Sequence, residues 1–304
     1  MEKGRVELEQ KKATANVLLA GVLWGIISIF VRGLSAAGLS SLQITEVRMI
    51  VGALGMALVL LIRAPEKFKI HPKDLWMFFG TGVVSVVFFN VCYFTAMQRS
   101  EVSIAVVLLY TSPVFVMLMS VLFFREKITP LKLLALAMTM AGSVCVAGLV
   151  GGSYHLSWLV LLLGLGSGFF YATYSIFGQV ALKKYDTMTV TFYTFLVAAL
   201  CALPFSGIGA IVTTAAASPL NLGCCLGIGV FCTILPYLFY SSGLGHMEAS
   251  RAAILATVEP LVGALLGMIA YRETVSGVKL LGIALIFGAV VVLNLKPRRI
   301  KAAA

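Results

Sequence analysis

The sequence predicts an all-α integral membrane protein whose ten transmembrane helices form two inverted five-helix repeats. Three observations predict this fold class: the composition, the distribution of basic residues among the loops, and an internal repeat. Of the 304 residues, 60% are hydrophobic and 12% are charged, and the mean hydropathy is +1.02. Ordinary soluble domains carry about 25% charged residues. A soluble enzyme, a secreted disulfide scaffold and a disordered chain are therefore excluded.

Ten apolar stretches are long enough to cross a bilayer, which takes about 20 residues each. In chain order they are Ala15–Val31, Thr45–Ile62, Leu75–Met97, Ile104–Phe124, Leu131–Val150, Ser157–Leu182, Met188–Ile211, Leu220–Leu244, Ala252–Tyr271 and Val278–Leu295. Because backbone groups in lipid must be hydrogen-bonded within the protein, each stretch is predicted to be a helix. The first stretch lacks a small-residue cleavage site, so it is predicted to be a retained span rather than a signal peptide.

The loops between these stretches alternate in charge. The chain has 23 Lys and Arg residues and a net charge of +11. With the N-terminus inside, only Arg32, Arg99, Arg272 and Lys279 lie on the outer side, Arg48 lies within a span, and all the others are cytoplasmic. This alternation follows the positive-inside rule for ten spans with both termini in the cytoplasm. The charge reports topology in a plasma (inner) membrane, and no nucleic-acid partner is expected because no contiguous basic face lies outside the lipid bilayer.

An internal repeat recurs at a constant offset of 147 residues, without gaps, from the first span to the tenth. The matched pairs include Gly21 and Gly168, Ser28 and Ser175, Gly80 and Gly227, Tyr93 and Tyr240, Glu101 and Glu248, Pro113 and Pro260, Arg125-Glu126 and Arg272-Glu273, and Lys132 and Lys279. Apolar composition alone would match scattered Leu and Val residues rather than these. The chain is therefore predicted to be a duplication, with repeats at residues 1–150 and 151–304.

Five spans per repeat is an odd number, so the second repeat enters the membrane from the opposite side. The halves are then related by a pseudo-two-fold axis in the membrane plane. Many secondary transporters use such inverted repeats to build two similar gates around a site at the midplane. The repeat therefore indicates alternating access, with the site enclosed by the first, third and fourth spans and their partners, the sixth, eighth and ninth.

The repeated segments resemble a known family. The run from Leu108 to Thr129 resembles the fourth helix of the EamA branch of the drug/metabolite transporter superfamily, and the run from Ala256 to Ser276 resembles its ninth helix. Trp24-Gly25 and Arg48 also fit the family pattern. Arg125 and Arg272 depart from it, because the family more often has Gly there. The resemblance implies a ten-helix transporter of small metabolites, commonly an exporter of amino acids or related compounds.

Alternatives from other classes stay open at this point. A passive channel or facilitator would share the composition, whereas an integral membrane enzyme would need a cluster of acids, His or metal ligands at the interface. No such cluster, nucleotide motif, metal-ligand spacing or cofactor motif is evident in the sequence, so neither a catalytic role nor a bound cofactor or metal is expected. The expected partner is a small-molecule substrate, and the sequence does not set the oligomeric state.

Glu259 is the strongest candidate for coupling. It lies near the centre of the ninth span, where an ionisable group is costly and by default a functional hypothesis. Its repeat partner is the uncharged Ser112. Since removal from water disfavours the charged form of a carboxyl, Glu259 is predicted to exchange protons or to bind a substrate ammonium group. The alternative is a protonated Glu259 that only holds neighbouring helices together.

Two prolines occupy matching positions in the fourth and ninth spans. Pro113 and Pro260 each remove a backbone donor and free the carbonyl one turn earlier, at Leu109 and Ala256. These positions predict gating kinks that present the freed carbonyls to a ligand, with helix packing as the alternative.

Polar and aromatic side chains at helical spacing are predicted to line the substrate pocket, since pockets are mostly apolar and aromatic with a few placed polar groups. The predicted substrate-binding residues are Trp24, Asn90, Tyr93, Tyr110, Tyr171, Ser175, Tyr237 and Tyr240. Arg48 is open between binding a substrate carboxylate and anchoring at the interface. Gly164, Gly166 and Gly168 are predicted to allow close helix approach.

Overall fold

A computed structural model of the chain describes residues 2–150, 156–271 and 276–294. Within these ranges the regular structure is entirely helical. The transmembrane helices, labelled α1 to α10, are Glu7–Ala36, Ser41–Arg63, Pro72–Arg99, Val102–Phe124, Pro130–Val146, Trp158–Ala181, Thr187–Ser206, Pro219–Leu244, Ala249–Ala270 and Gly277–Asn294. Nine of them have 18 or more residues, and α5 has 17, which is still within the range that crosses a bilayer. The fold class predicted from the sequence is confirmed.

Short polar residues set several helix starts. Ser40 begins α2 with a capping box, in which its side chain accepts a hydrogen bond from the Gln43 amide while the Gln43 side chain accepts one from the Ser40 amide. The side chains that cap α5, α6, α7 and α8 in the same position are those of Thr129, Ser157, Asp186 and Ser218. Each satisfies a backbone donor that the helix itself leaves unpaired.

The seventh span differs from its predicted extent. The sequence predicts Met188–Ile211, but α7 ends at Ser206 because Gly207 takes a left-handed backbone conformation with φ +63°. A separate helix, Ile208–Ala217, then leads to α8. This apolar connecting helix has the same composition as a span, so hydropathy alone could not separate the two.

One face of the molecule gathers four loops, residues 64–71, 125–129, 182–186 and 245–248. Six Lys and Arg residues lie in these loops, and we call this side the basic face. Polar contacts tie the loops together. Asp74 accepts a hydrogen bond from Lys184 at 2.8 Å, and Lys67 pairs with Asp186 at 3.0 Å. The Asp74 carboxylate raises the pKa of Lys184 above its ordinary value through this bond. The loops that follow α2, α4, α6 and α8 thus share a face, as expected for a chain that crosses the membrane in alternating directions.

Close contacts at glycines show the two-fold relation between the halves. Gly80 packs against the ring of Phe177, and Gly227 packs against the ring of Phe30. The two pairs interchange when each residue is replaced by its equivalent 147 positions away. Gly21 against Ala256 and Gly168 against Leu109 interchange in the same way. Because each half crosses the membrane five times, an axis that exchanges the halves lies in the membrane plane.

Four helices are interrupted at matching depths. Helix α4 breaks at Tyr110 and Thr111, and α9 breaks at Thr257. Helices α3 and α8 contain the π-helical segments Gly80–Val87 and Val230–Ile234. Breaks and π-bulges of this kind are frequent at functional sites, and here all four border the same central region.

Candidate functional site

A cavity of ≈ 400 Å³ lies between the halves. Its lining side chains come from α1, α2, α3, α4, α6, α8 and α9. The mouth is formed by the ends of α1 and α3 and the starts of α2 and α4, all on the side opposite the basic face. Val31, Ser41, Met97 and Val102 border this mouth. The cavity is therefore open to the face opposite the basic loops.

Arg48 provides a positive charge in the cavity wall. Its Nε atom donates to Thr233 Oγ1 at 3.1 Å, and a terminal nitrogen donates to the Cys232 carbonyl at 3.4 Å. Thr233 in turn donates to the Ile228 carbonyl at 3.0 Å, within the stretch where the helical bonding of α8 is irregular. These contacts hold the guanidinium between α2 and α8.

Glu259 provides the opposing negative group, immediately after the break in α9. The Tyr110 side chain interacts with this carboxyl, so the breaks in α4 and α9 meet at Glu259. Arg48 interacts with it electrostatically, yet the described ion pairs include none between the two. Arg48 and Glu259 therefore both line the cavity without forming an ion pair with each other.

A polar pair joins α2 to α3 on another wall. Thr45 Oγ1 lies 3.1 Å from Asn90 Oδ1 and 3.0 Å from the Ser41 carbonyl oxygen, so its single proton is shared between two acceptors, and Asn90 Nδ2 donates to the Val86 carbonyl at 2.6 Å. Asn90 is thereby held by its own helix, and its amide oxygen lies against the Thr45 hydroxyl of α2. Glu46, by contrast, is fully buried and does not line the cavity, although it is only two residues from Arg48.

An aromatic layer closes the cavity toward the basic face. Ser175 and Tyr240 share a hydrogen bond of 2.7 Å, and Tyr174 and Ser241 share another of 2.7 Å. The Trp24 ring meets Tyr237 edge-on with 5.5 Å between centroids. A small pocket of ≈ 30 Å³ adjoins this layer and has about the volume of one water molecule. We call the six side chains of this layer the floor: Trp24, Tyr174, Ser175, Tyr237, Tyr240 and Ser241.

The structure brings the predicted pocket residues together. Trp24, Asn90, Tyr93, Tyr110, Tyr171, Tyr237 and Glu259 line the cavity, and Ser175 and Tyr240 line the small pocket at the floor. Pro113 and Pro260 line neither space. Each lies just after a helix break, and the Leu109 and Ala256 carbonyls that they free lie against Gly168 and Gly21. Of the Arg-Glu pairs, Arg272-Glu273 lies outside the described residues.

The contribution of α2 is the part that the sequence analysis left out. Ser41, Ile44, Thr45 and Met49 line the cavity beside Arg48, although α2 was not among the predicted enclosing helices. The signal was present in Arg48 itself, because a charge inside a span faces the protein interior or a wet cavity. Helical spacing then places Ile44, Thr45 and Met49 on the same side.

This architecture, with inverted repeats around a cavity that is open to one face and contains an arginine and a glutamate, defines a membrane transporter. Comparison with known proteins agrees. The model of the EamA-like transporter family matches residues 11–148 and again residues 158–295. The chain belongs to this family, within the drug/metabolite transporter superfamily, as the sequence analysis predicted.

Individual relatives are similar over nearly their whole length. An uncharacterised transporter of Archaeoglobus fulgidus is 29% identical over 91% of this chain and 94% of its own. The pseudopaline exporter CntI of Pseudomonas aeruginosa is 25% identical over 92% and 97%, respectively. A solved crystal structure that is 19% identical superimposes with a TM-score of 0.78, covering 96% of this chain and 99% of that chain, and supports the fold alone.

Proposed function

We propose that this transporter exports small zwitterionic metabolites, such as amino acids or related compounds, by alternating access, and that Glu259 couples export to proton movement. The observation that carries the proposal is the placement of Arg48 and Glu259 on the wall of one cavity without a direct ion pair between them. A substrate with both a carboxylate and an ammonium group complements this arrangement.

The cavity wall supports the size and character of this substrate. A volume of ≈ 400 Å³ lies within the range of small-molecule sites, and the lining is largely aromatic and apolar. The rings of Trp24, Tyr171 and Tyr237 offer faces for an apolar or aromatic substrate part and, at the ammonium end, cation–π contacts. Guanidinium groups bind carboxylates with two parallel hydrogen bonds, which suits Arg48 to the other end.

In the proposed orientation, the protein spans the plasma (inner) membrane, and the basic face and both termini lie in the cytoplasm. The basic loops support this orientation through the positive-inside rule. The cavity then opens outward, in the state from which an exporter releases substrate and takes up a proton. A relative named as an exporter supports the direction, and a relative from Salmonella typhimurium, YicL, is named as an inner membrane transporter.

Substrate identification begins with thermal shifts of the purified protein in detergent. A ligand that binds only the folded state stabilises it by RT ln(1 + [L]/Kd), about 2.7 kcal/mol at a hundredfold excess over Kd. Amino acids, nucleobases, sugars and organic cations are tested separately at two pH values. We expect the shifts to cluster among zwitterions, and a cluster among sugars would contradict the proposed charge pairing.

The transport test uses a hit from this screen in proteoliposomes. A carrier exchanges internal unlabelled substrate for external labelled substrate, whereas a channel does not show such counterflow. With an acidic lumen, proton antiport accumulates substrate inside. We expect Glu259→Gln to retain counterflow and to lose this accumulation.

The matched control is Glu46→Gln, which neutralises an intramembrane carboxyl away from the cavity and is expected to accumulate substrate as the wild type does. Accumulation in Glu259→Gln at the wild-type level would exclude proton coupling through this residue. Substrate flux without counterflow in the wild type would replace the carrier by a passive channel.

A further inference from the structure

A second cavity, of ≈ 630 Å³, opens on the basic face between the ends of α4, α6 and α8. Its wall is formed by Phe124 and the α4–α5 loop, by Gln179 and Lys183 at the end of α6, and by the α8–α9 loop. The Gln179 side chain donates to the Met247 carbonyl at 3.3 Å and so joins α6 to the α8–α9 loop. We call this space the basic cleft.

Three cationic side chains line the basic cleft. Arg125 and Lys127 come from the first repeat, and Lys183 comes from the second. All three are exposed, and the ion pairs among the described residues include none of them. Lys183 Nζ lies 5.1 Å from the centre of the Phe124 ring, so it reaches the end of α4 directly before Arg125. The cleft therefore presents cations from both repeats to one space.

The two carboxylates of the cleft are bound by other groups of the protein. Glu126 accepts hydrogen bonds from the Ala249 amide at 2.8 Å and from the Ser250 hydroxyl. Lys132 Nζ lies 3.4 Å from Glu126 and 2.7 Å from Glu248, and this lysine is buried behind the cleft rather than part of its lining. Because Lys132 offsets these carboxylates, the three exposed cations leave the cleft with an excess of positive charge.

The last turn of α4 continues from the cleft to a lipid-facing surface. Leu122 and Phe123 are 73% and 62% exposed, although they belong to a transmembrane helix. Large apolar side chains exposed on such a helix contact acyl chains, because the hydrocarbon core of the bilayer surrounds it. Arg125 and Lys127 follow directly in the chain. Apolar surface therefore gives way to basic side chains at the cleft, and basic pockets of this kind between transmembrane helices bind anionic lipid headgroups.

The internal repeat does not require the two lysines. The positions equivalent to Lys127 and Lys183 on the opposite face are Thr274 and Ala36. The positive-inside rule accounts for an excess of basic residues on one face, but it does not gather them around one cleft. The placement of these lysines therefore calls for a ligand of its own.

We propose that the basic cleft binds the phosphate headgroup of an anionic phospholipid from the leaflet at the basic face. Lys127 and Lys183 bind the phosphate as point charges, and the Arg125 guanidinium offers it two parallel hydrogen bonds. The acyl chains extend along the exposed last turn of α4. Since Lys127 and Lys183 belong to different repeats, the bound headgroup joins the two halves on the closed face. This inference does not depend on the substrate, the coupling ion or the direction of transport.

The experiment is native mass spectrometry of the purified full chain in detergent with added lipid. The probes are dioleoyl-phosphatidylglycerol and dioleoyl-phosphatidylcholine, which have the same acyl chains but differ in net charge. In the double variant Lys127→Gln/Lys183→Gln, we expect the affinity for the first bound phosphatidylglycerol to fall about twenty- to thirtyfold, since one basic residue at an anionic lipid surface contributes about fivefold. Phosphatidylcholine should bind weakly and equally to the wild type and the variant.

The matched control is Lys69→Gln/Lys73→Gln, which removes two exposed lysines of the same side that do not line the cleft. We expect this control to bind phosphatidylglycerol within about twofold of the wild type, because exposed charges beyond a Debye length are largely screened. An equal loss of affinity in both double variants would assign binding to the general charge of the face, and the inference would be wrong. Wild-type affinity in Lys127→Gln/Lys183→Gln would also overturn it.

Inorganic phosphate separates a lipid site from a site for a soluble anion. At the concentration at which phosphatidylglycerol saturates the protein, phosphate should not displace the lipid, because it lacks acyl chains to contact Leu122 and Phe123. Displacement at that concentration would replace the lipid by a soluble phosphate ligand and refute the proposal. If the double variant fails to fold, Lys127→Gln and Lys183→Gln alone decide the question, each with an expected loss of about fivefold.

Discussion

The close approach of α6 to α4 gives a quantitative test of the packing. A Cβ atom added at Gly168 would lie 2.6 Å from Thr111 Oγ1 and 3.0 Å from the Leu108 carbonyl oxygen. Thr111 lies in the break in α4, and Leu108 lies in the last turn of the helix before it. Because the Leu108 oxygen is a backbone atom and the short Thr111 side chain is hydrogen-bonded to it, neither can yield as the end of a flexible side chain would. At Gly166, two residues earlier, the nearest atom is Cys92 Sγ at 3.5 Å, an ordinary contact.

Replacement of each glycine by alanine isolates the steric contribution. In a helix the change from Gly to Ala gains up to about 1 kcal/mol in intrinsic propensity, and this gain is common to both positions. Overpacking a tight contact costs typically 1–3 kcal/mol. We therefore expect Gly168→Ala to be less stable than Gly166→Ala by about 1–3 kcal/mol. At about 2–4 °C per kcal/mol, the melting temperatures should differ by about 2–12 °C.

Thermal unfolding of both variants in the same detergent measures this difference directly. Comparison between the variants, rather than with the wild type, cancels the propensity and the detergent effect. Equal melting temperatures would show that α4 can move away from α6 at no cost. The break at Tyr110 and Thr111 would then be soft, and the close contact at Gly168 would not define it.

Three further outcomes are expected. Arg125→Gly should raise the free energy of unfolding by about 1 kcal/mol, because glycine takes φ +56° without the left-handed penalty and the arginine side chain is exposed. A thermal melt measures this change, and a lower melting temperature would show that the arginine side chain makes a stabilising contact. Ser175→Ala and Tyr240→Phe should each destabilise the protein by about 1 kcal/mol, and their double-mutant cycle should give a coupling free energy of about 0.5–1.5 kcal/mol. Additive effects would show that the two side chains share no hydrogen bond. Arg48→Lys should weaken binding of a carboxylate-bearing substrate at least about tenfold in titration calorimetry, since lysine lacks the planar pair of donors, and unchanged affinity would move the carboxylate site elsewhere.

Most of the fold could be predicted because lipid leaves the backbone few choices. Apolar length and basic loops placed ten helices, and the offset of 147 related the halves. The end of α7 could not be predicted in this way. Gly207 ends the helix through its backbone conformation, and the following Ile208–Ala217 is as apolar as a span. Hydropathy reports the environment of a segment rather than its continuity.

The site could be predicted in part for a related reason. Residues such as Tyr93 and Tyr237 were found because polar aromatics at repeat-related positions stand out in apolar spans. The role of Thr45 depends on its distance to Asn90, on a different helix, and sequence spacing carries no such information. Glu46 shows the converse limit, since it is as polar as Glu259 but does not reach the cavity. The orientation of α2 about its own axis decides that Glu46 does not line the cavity, and the sequence does not give this orientation.

The floor follows the two-fold symmetry of the repeats. Its bond between Ser175 and Tyr240 corresponds, 147 positions earlier, to Ser28 and Tyr93. Both of these line the open cavity, Ser28 from α1 and Tyr93 from α3. If the halves exchange conformations, closure of the outer side brings this second serine and tyrosine together while the first pair separates. An equal bond formed and lost changes the free energy little, which is what a carrier needs to visit both states at comparable populations. Arg48 and Glu259 have no duplicated counterpart, because the equivalent positions are Phe195 and Ser112, so this exchange of serine–tyrosine bonds leaves the two charged side chains out.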